Sequence, residues 1–350
     1  MTMYMHRPPQ HAAERGFSLV ELMIAAALGM LILGGMTTLF VNNSRAQAEV
    51  EKANRQVENG RFGIQVLAGD LRNAGFYGEF DPTVLALPAA LPDACAASKD
   101  ELKSALALHA QGVDNAGAGA LSCLADLREG TDVLVVRHAA TCVAGVGSCS
   151  PAAAGGPFLQ ASLCNNAGEL GSSDPANFYS LEIDSASLSR HKRDCTAVPG
   201  SGTPADVRRY LTHIYFVANN DNTSDGIPTL KRAELGVSGG ALSFTIVPLV
   251  EGIENLQLEY GIDNGIDGVA DLFMANPASA ANFRNVVSVK LNLLARNIEP
   301  SAGFTDTKTY VLGNTAAGTP NLITAPGDRY RRHVFQALVA LPNPAGRKLP

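Results

Sequence analysis

The sequence predicts an α+β fold, a long N-terminal helix followed by many antiparallel strands, and three observations carry the prediction. Residues 17–41 (FSLVELMIAAALGMLILGGMTTLFV) are almost wholly apolar, with Glu21 as their only charge. From Asn42 to about Asn73 the helical pattern continues but becomes amphipathic. Beyond Phe178 the chain is dominated by β-branched and aromatic runs, several alternating with period two and separated by turn residues.

At about 1.5 Å rise per residue, residues 17–41 make a helix of roughly 37 Å, enough to cross a hydrocarbon core of about 30 Å with some tilt. A carboxylate in such a helix costs on the order of 2.5–3.5 kcal/mol at mid-bilayer, less near the end where Glu21 sits, so a passive anchor would not carry it. Cleavage before Phe17 would place a new α-amino group one helical turn from Glu21, and in an assembly of such helices the amine of one subunit can pair with Glu21 of the next. Two unit charges 4 Å apart attract by about 4 kcal/mol at an effective dielectric near 20, but both must be desolvated, so the pair sets register more surely than it adds stability. Ala46-Gln47-Ala48 resembles an ordinary secretory cleavage site, yet the apolar core before it is far too long and contains a charge.

The amphipathic half places Ala46, Val50, Ala53, Val57, Gly60, Ile64, Leu67 and Leu71 on one heptad-like stripe suited to packing on a globular domain. Gly75 ends it. Residues 82–130 read as loops with a short helix, Thr131–His138 as a buried strand, and 139–177, rich in Gly, Ala, Ser and Cys, as a surface excursion tied down by disulfides. Strands are expected at Phe178–Ile183, Val207–Ala218, Thr229–Leu235, Ala241–Val247, Asn255–Ile262, Val286–Asn297 and Tyr330–Leu341.

The formal charge of −6 gives no electrostatic case for nucleic-acid binding, and roughly 275 residues beyond the helix are enough for a real core. Arg7 and Arg15 against Glu14 bias the N-terminus to the cytoplasm and the bulk to export. All six cysteines, Cys95, Cys123, Cys142, Cys149, Cys164 and Cys195, lie beyond the apolar helix, which reads as disulfides in an oxidising compartment. Six cysteines allow fifteen pairings, among which the sequence does not choose; sequential pairing is the working expectation. No Cys-x-x-Cys knuckle or His pair supports a metal reading of these residues.

The segment Arg15-Gly16-Phe17-Ser18-Leu19-Val20-Glu21-Leu22 resembles the class III signal of type IV prepilins and type II secretion pseudopilins. Residues 248–263 (PLVEGIENLQLEYGID), 286–297 (VVSVKLNLLARN) and 331–344 (RRHVFQALVALPNP) resemble the PilW family of type IV pilus minor pilins, whose secretion counterpart is the J-type minor pseudopilin. The resemblance implies a pilin-like fold, cleavage between Gly16 and Phe17 by prepilin peptidase, N-methylation of Phe17, and Glu21 as the assembly carboxylate. It implies a leader 1–16, a transmembrane or filament-core half-helix 17–41, an amphipathic half 42–75, a variable disulfide-containing region 76–205 and a β-rich pilin domain 206–350. Major and minor pilins and the inner-membrane assembly platform are the implied partners. The implied location is the inner membrane with the C-terminal domain in the periplasm, then the pilus. The implied role is to prime or cap pilus assembly; the alternatives are a type II secretion pseudopilin or a tip adhesin carried on a pilin stem. Unlike many major pilins, the apolar half has no proline, and Gly29, Gly34 and Gly35 are its only weak points.

Asp263, Asp267 and Asp271 stand at steps of four, with Gly268 after Asp267 as in a calcium loop. Gly265 occupies the third loop position and no bidentate Glu follows, so a solvated hairpin turn is favoured and Ca2+ is the alternative; Asp221–Gly226 opens in the same way. No His-Glu-x-x-His, phosphate-binding glycine loop or Gly-x-Ser-x-Gly elbow is present, and the expectation is a non-enzymatic protein without a cofactor. His213 and His333 read as structural strand histidines, and Arg208-Arg209 and Arg329, Arg331 and Arg332 as solvated arginines.

Overall fold

The computed structural model describes residues 16–152, 155–265 and 267–348. Helix α1 runs Leu19–Leu71, and the chain divides into two units between Glu51 and Lys52. In the first unit the apolar residues from Phe17 to Phe40 are exposed, Phe17 at 89% and Met30 at 74%. Their backbone is satisfied within the helix, and Thr37 and Thr38 donate their hydroxyls to the carbonyls of Leu33 and Gly34. The segment is long and apolar enough to cross a membrane by length and composition.

In the second unit α1 buries Gln56, Gly60, Gly63, Leu67, Ala68 and Leu71, with Ile64 half-buried. This is the lower part of the expected stripe, rotated slightly. Ala46, Val50 and Ala53 are exposed, so packing begins at Gln56, a polar residue that periodicity alone passes over. Its side-chain amide donates to the carbonyls of Ala295 and Arg331 at 2.8 Å each, which makes a buried amide affordable. Gly75, at φ +73°, closes the helix end and donates its N–H to the Arg137 carbonyl.

Thirteen strands follow among the described residues: β1 (Ala110–Ala116), β2 (Thr131–Ala139), β3 (Phe158–Ala161), β4 (Tyr179–Glu182), β5 (Val207–Ala218), β6 (Thr229–Ser238), β7 (Ala241–Glu251), β8 (Ile253–Ile262), β9 (Leu272–Met274), β10 (Val286–Arg296), β11 (Thr309–Asn314), β12 (Pro320–Thr324) and β13 (Arg332–Ala340). Short helices α2 (Lys99–Ala105), α3 (Ala280–Arg284) and α4 (Pro342–Gly346) interrupt them. Every ladder is antiparallel. β5 is the hub of a seven-stranded sheet, pairing with β2 over 210–215, β6 over 213–218 and β3 over 207–209. A second sheet has the order β13-β10-β8-β9, and β11-β12 form a separate hairpin.

The central core joins Leu67, Ala68 and Leu71 of α1 to Leu134, Val136 and Tyr215 of the first sheet and to Leu256, Leu258, Leu291 and Leu293 of the second. β2 and β8 are both buried along their whole length; β2 has a continuous apolar run, Val133–Val136, whereas β8 alternates, Leu256, Leu258 and Tyr260 entering the central core between Asn255, Gln257 and Glu259. On another face, Cys95, Leu121, Leu124 and Leu127 pack on Val133, Val135, Ile214 and Phe216.

Two expectations change. Residues 82–130 contribute a strand, β1, whose sequence AQGVDNA carries little β signal and which forms by pairing with β2. The 139–177 stretch is not simply a surface excursion: β3 is fully buried and bonded to both β4 and β5. Four residues are too few for periodicity to reveal, and the burial comes from β5 alongside.

Candidate functional site

Gly16 and Phe17 lie immediately before α1 and are exposed. Ser18 is the helix cap: its Oγ accepts from the Glu21 N–H at 3.2 Å, while Glu21 Oε2 accepts from the Ser18 N–H at 2.9 Å. This reciprocal pair is a capping box, satisfying two of the amides that a helix start leaves open. The Ser-x-x-Glu spelling of 18–21 carried that signal in the sequence. The carboxylate thus has a local hydrogen bond one residue from Phe17, whose amine cleavage would create.

A second polar centre lies where the last turn of α1 meets the first sheet. Asp70 Oδ1 is 2.9 Å from His138 Nε2, and Oδ2 is 2.9 Å from His213 Nδ1 and accepts the Tyr215 hydroxyl at 3.0 Å. His213 and Tyr215 are two apart on β5 and so share a face; His138, on β2, is diagonal to His213, since Val136 is the residue opposite it. The imidazoles meet edge to face with centroids 5.8 Å apart. Burial pushes the Asp70 carboxyl up, but the hydrogen bonds and charge of the two histidines outweigh it and hold the group well below the usual carboxylate range. Burial and the adjacent Asp70 push the Tyr215 hydroxyl up. The sequence separations of 68 and 143 residues between Asp70 and its histidines kept the cluster out of sight; the only prior sign was a histidine on an otherwise apolar strand.

The cysteines pair as Cys95–Cys123, Cys142–Cys149 and Cys164–Cys195. Beside the last bridge, buried Glu169 accepts from Ser162 Oγ at 2.5 Å and from the His191 N–H at 3.0 Å, and meets His191 Nδ1 at 2.8 Å, tying 162–191 into one network. Burial pushes the Glu169 carboxyl up, but those bonds bring it below its ordinary value.

The three aspartates of the 263–271 turn are spent locally. Asp263 accepts from the Gly268 N–H, Asp271 from those of Asn264 and Gly265, and Asp267 from that of Val269. Asp263 is fully buried rather than solvated, with the Lys348 ammonium 3.5 Å from its carboxylate. In the 221–226 turn Asp225 likewise accepts the amides of Asp221, Asn222 and Ile227. Arg332 also departs from the solvated reading: its side chain is 1% exposed and pairs with Glu254, Asp306 and Asp328. Arg208 lies over Phe76 and donates to the carbonyls of Ala140 and Thr141.

Exposed apolar residues fill the helix that follows the Gly16-Phe17 junction, and the end of α1 packs on antiparallel β-sheets. Residues 11–37 match the prokaryotic N-terminal methylation motif. Residues 214–343 match the family described as Type IV Pilus-assembly protein W. No curated protein matches the chain. Among solved structures, a type IV-like pilin from Thermus thermophilus is similar at 16% identity, over 83% of this chain and 95% of that one, with a TM-score of 0.36.

Proposed function

We propose that the chain is cut between Gly16 and Phe17, N-methylated on Phe17, and co-assembled with other pilins from the inner membrane to prime or cap a type IV pilus. The observation that carries this reading is the capping box on Glu21 at the head of a wholly exposed apolar helix. Before assembly, the box gives the acid a hydrogen bond in its own chain, lowering the cost of holding it among apolar neighbours. On assembly, Glu21 takes the Phe17 amine of a neighbouring subunit as its partner, and the exposed face of 17–41 buries against adjacent helices. The pair sets the axial step. Charge balance and packing, rather than any chemical turnover, are the work of this site.

The test has two parts. Mass spectrometry of the mature protein is expected to find N-methylated Phe17; an intact Met1 or a start at Glu49 overturns the reading. Glu21→Ala is expected to leave the chain membrane-inserted yet depleted from sheared filaments, and normal incorporation of that variant overturns the pairing mechanism.

A further inference from the structure

We propose that Asp70, His138 and His213 form a binding site for one divalent transition-metal ion of the zinc type, with the Asp70 carboxylate, His138 Nε2 and His213 Nδ1 as its protein ligands. Among the described residues this trio brings three ligand atoms within 4.8 Å of one another. It belongs neither to the assembly segment nor to the acidic turn at 263–271.

The geometry of His138 is the strongest argument. Its Nδ1 lies 2.9 Å from the Ala139 carbonyl, which can only accept, so that nitrogen carries a proton. In the neutral ring Nε2 then offers a lone pair, and it faces an Asp70 oxygen, also an acceptor, at 2.9 Å. Two lone pairs held this close need a proton or a metal ion between them. A carbonyl fixing one ring nitrogen while the other faces a metal is the usual arrangement of a ligating histidine. Tyr215 supplies the matching support for the acid, donating its hydroxyl to Asp70 Oδ2 at 3.0 Å. The nearby Arg232 guanidinium, which would oppose a second cation, is paired with Glu234.

Spacing and chemistry agree. Metal–ligand distances of about 2.0–2.1 Å in tetrahedral geometry require ligand atoms about 3.3 Å apart, so the 2.9 Å contacts need to open by only about 0.4 Å. Two imidazoles and one carboxylate suit zinc or its neighbours and not the all-oxygen shells of calcium or magnesium. Three protein ligands leave a fourth position for water. Bound there, the ion would tie the last turn of α1 to β2 and β5 at a single point.

The test uses the untagged full chain in detergent micelles, stripped with chelator and titrated with zinc against a chromophoric competitor, with cobalt(II) absorption as the spectroscopic check. Wild type is expected to bind one equivalent at micromolar or lower concentration, to gain thermal stability with zinc, and to give visible cobalt bands of N/O-ligated, not thiolate, character. Asp70→Asn, His138→Ala and His213→Ala are each expected to weaken binding by at least ~10-fold, as loss of a ligand should do at least as much damage as loss of a supporting residue. Asp70→Asn keeps the shape of the acid and guards against misfolding, with near-ultraviolet circular dichroism reporting the fold. Asp267→Asn is expected to bind as wild type. The proposal is overturned if wild type shows no stoichiometric binding, meaning protons alone close the cluster. It is equally overturned if the three variants bind as well as wild type, or if Asp267→Asn abolishes binding.

Discussion

Arg332 is the residue whose replacement should be most costly to the C-terminal sheets. Its guanidinium meets Glu254 Oε1 at 3.0 Å, both oxygens of Asp328 at 2.7 Å and Asp306 Oδ2 at 3.1 Å, with its side chain 1% exposed. Arg332→Met keeps most of the volume but leaves Asp306, whose side chain is 0% exposed, among the described residues with the Tyr310 hydroxyl at 2.9 Å and the Lys308 N–H at 3.2 Å. Glu254 would retain Arg128 at 3.4 Å. Removing one member of a buried ion cluster costs about 3–5 kcal/mol, because the stranded partners remain desolvated. At about 2–4 °C per kcal/mol the melting temperature should fall by about 6–20 °C. Arg332→Lys should fall between the two, keeping charge but losing the planar fork. The chain has no Trp and eight Tyr, so near-ultraviolet circular dichroism of the full chain in micelles is the suitable probe. A melting temperature for Arg332→Met within about 2 °C of wild type, near 1 kcal/mol or less, would refute the reasoning.

The remaining predictions concern a buried histidine and a close approach. Burial and the charges of Arg347, Lys348 and Arg137 outweigh the hydrogen bond to the Val286 carbonyl and push His109 from 6.5 down to about 4. The unfolded chain therefore takes up a proton near 6.5 that the folded chain refuses until about 4, so stability falls as pH drops through that window, by about 3 kcal/mol from this residue. Asp132, pushed up to about 7 by burial, acts in the opposite sense, being more stabilising at low pH; the difference in urea midpoints between wild type and His109→Gln from pH 4 to 8 isolates the histidine. A Cβ on Gly112 would fall 1.9 Å from the hydroxyl and 2.7 Å from Cζ of Tyr260, which is 2% exposed and has no room to move. Gly112→Ala should cost about 1–3 kcal/mol, and Tyr260→Phe, which removes a buried hydroxyl lacking a hydrogen-bond partner, should recover part of it in a double-mutant cycle of denaturant melts.

Much of the fold was legible because its signals are local. Val207–Ala218 reads as a strand in the sequence and is one residue for residue, β2 announces itself as an apolar run, and β8 and β10 by period-two alternation between turns. What stayed hidden depends on partners: β1 and β3 are made strands by β2 and β5, and Gln56 is buried because two distant carbonyls receive it. The same division holds for the sites. The junction at Gly16 and the acid at Glu21 are contiguous text, and so was the Ser18 cap. Asp70, His138 and His213 come together only through the packing of a helix end across two strands, and Arg332 looked like one more basic residue at a strand start until Glu254, Asp306 and Asp328 closed around it.

Gln56 and Asp70 also fix how the domain would respond to traction on its helix. The two residues lie about 21 Å apart along α1, one stitched to the second sheet and the other to the first. A pull along the helix axis would thus load both fastenings together, sliding rather than peeling the apolar seam between them, and sliding demands that many contacts fail at once. Within the second unit, helix and β layers would therefore part together rather than unzip from one end.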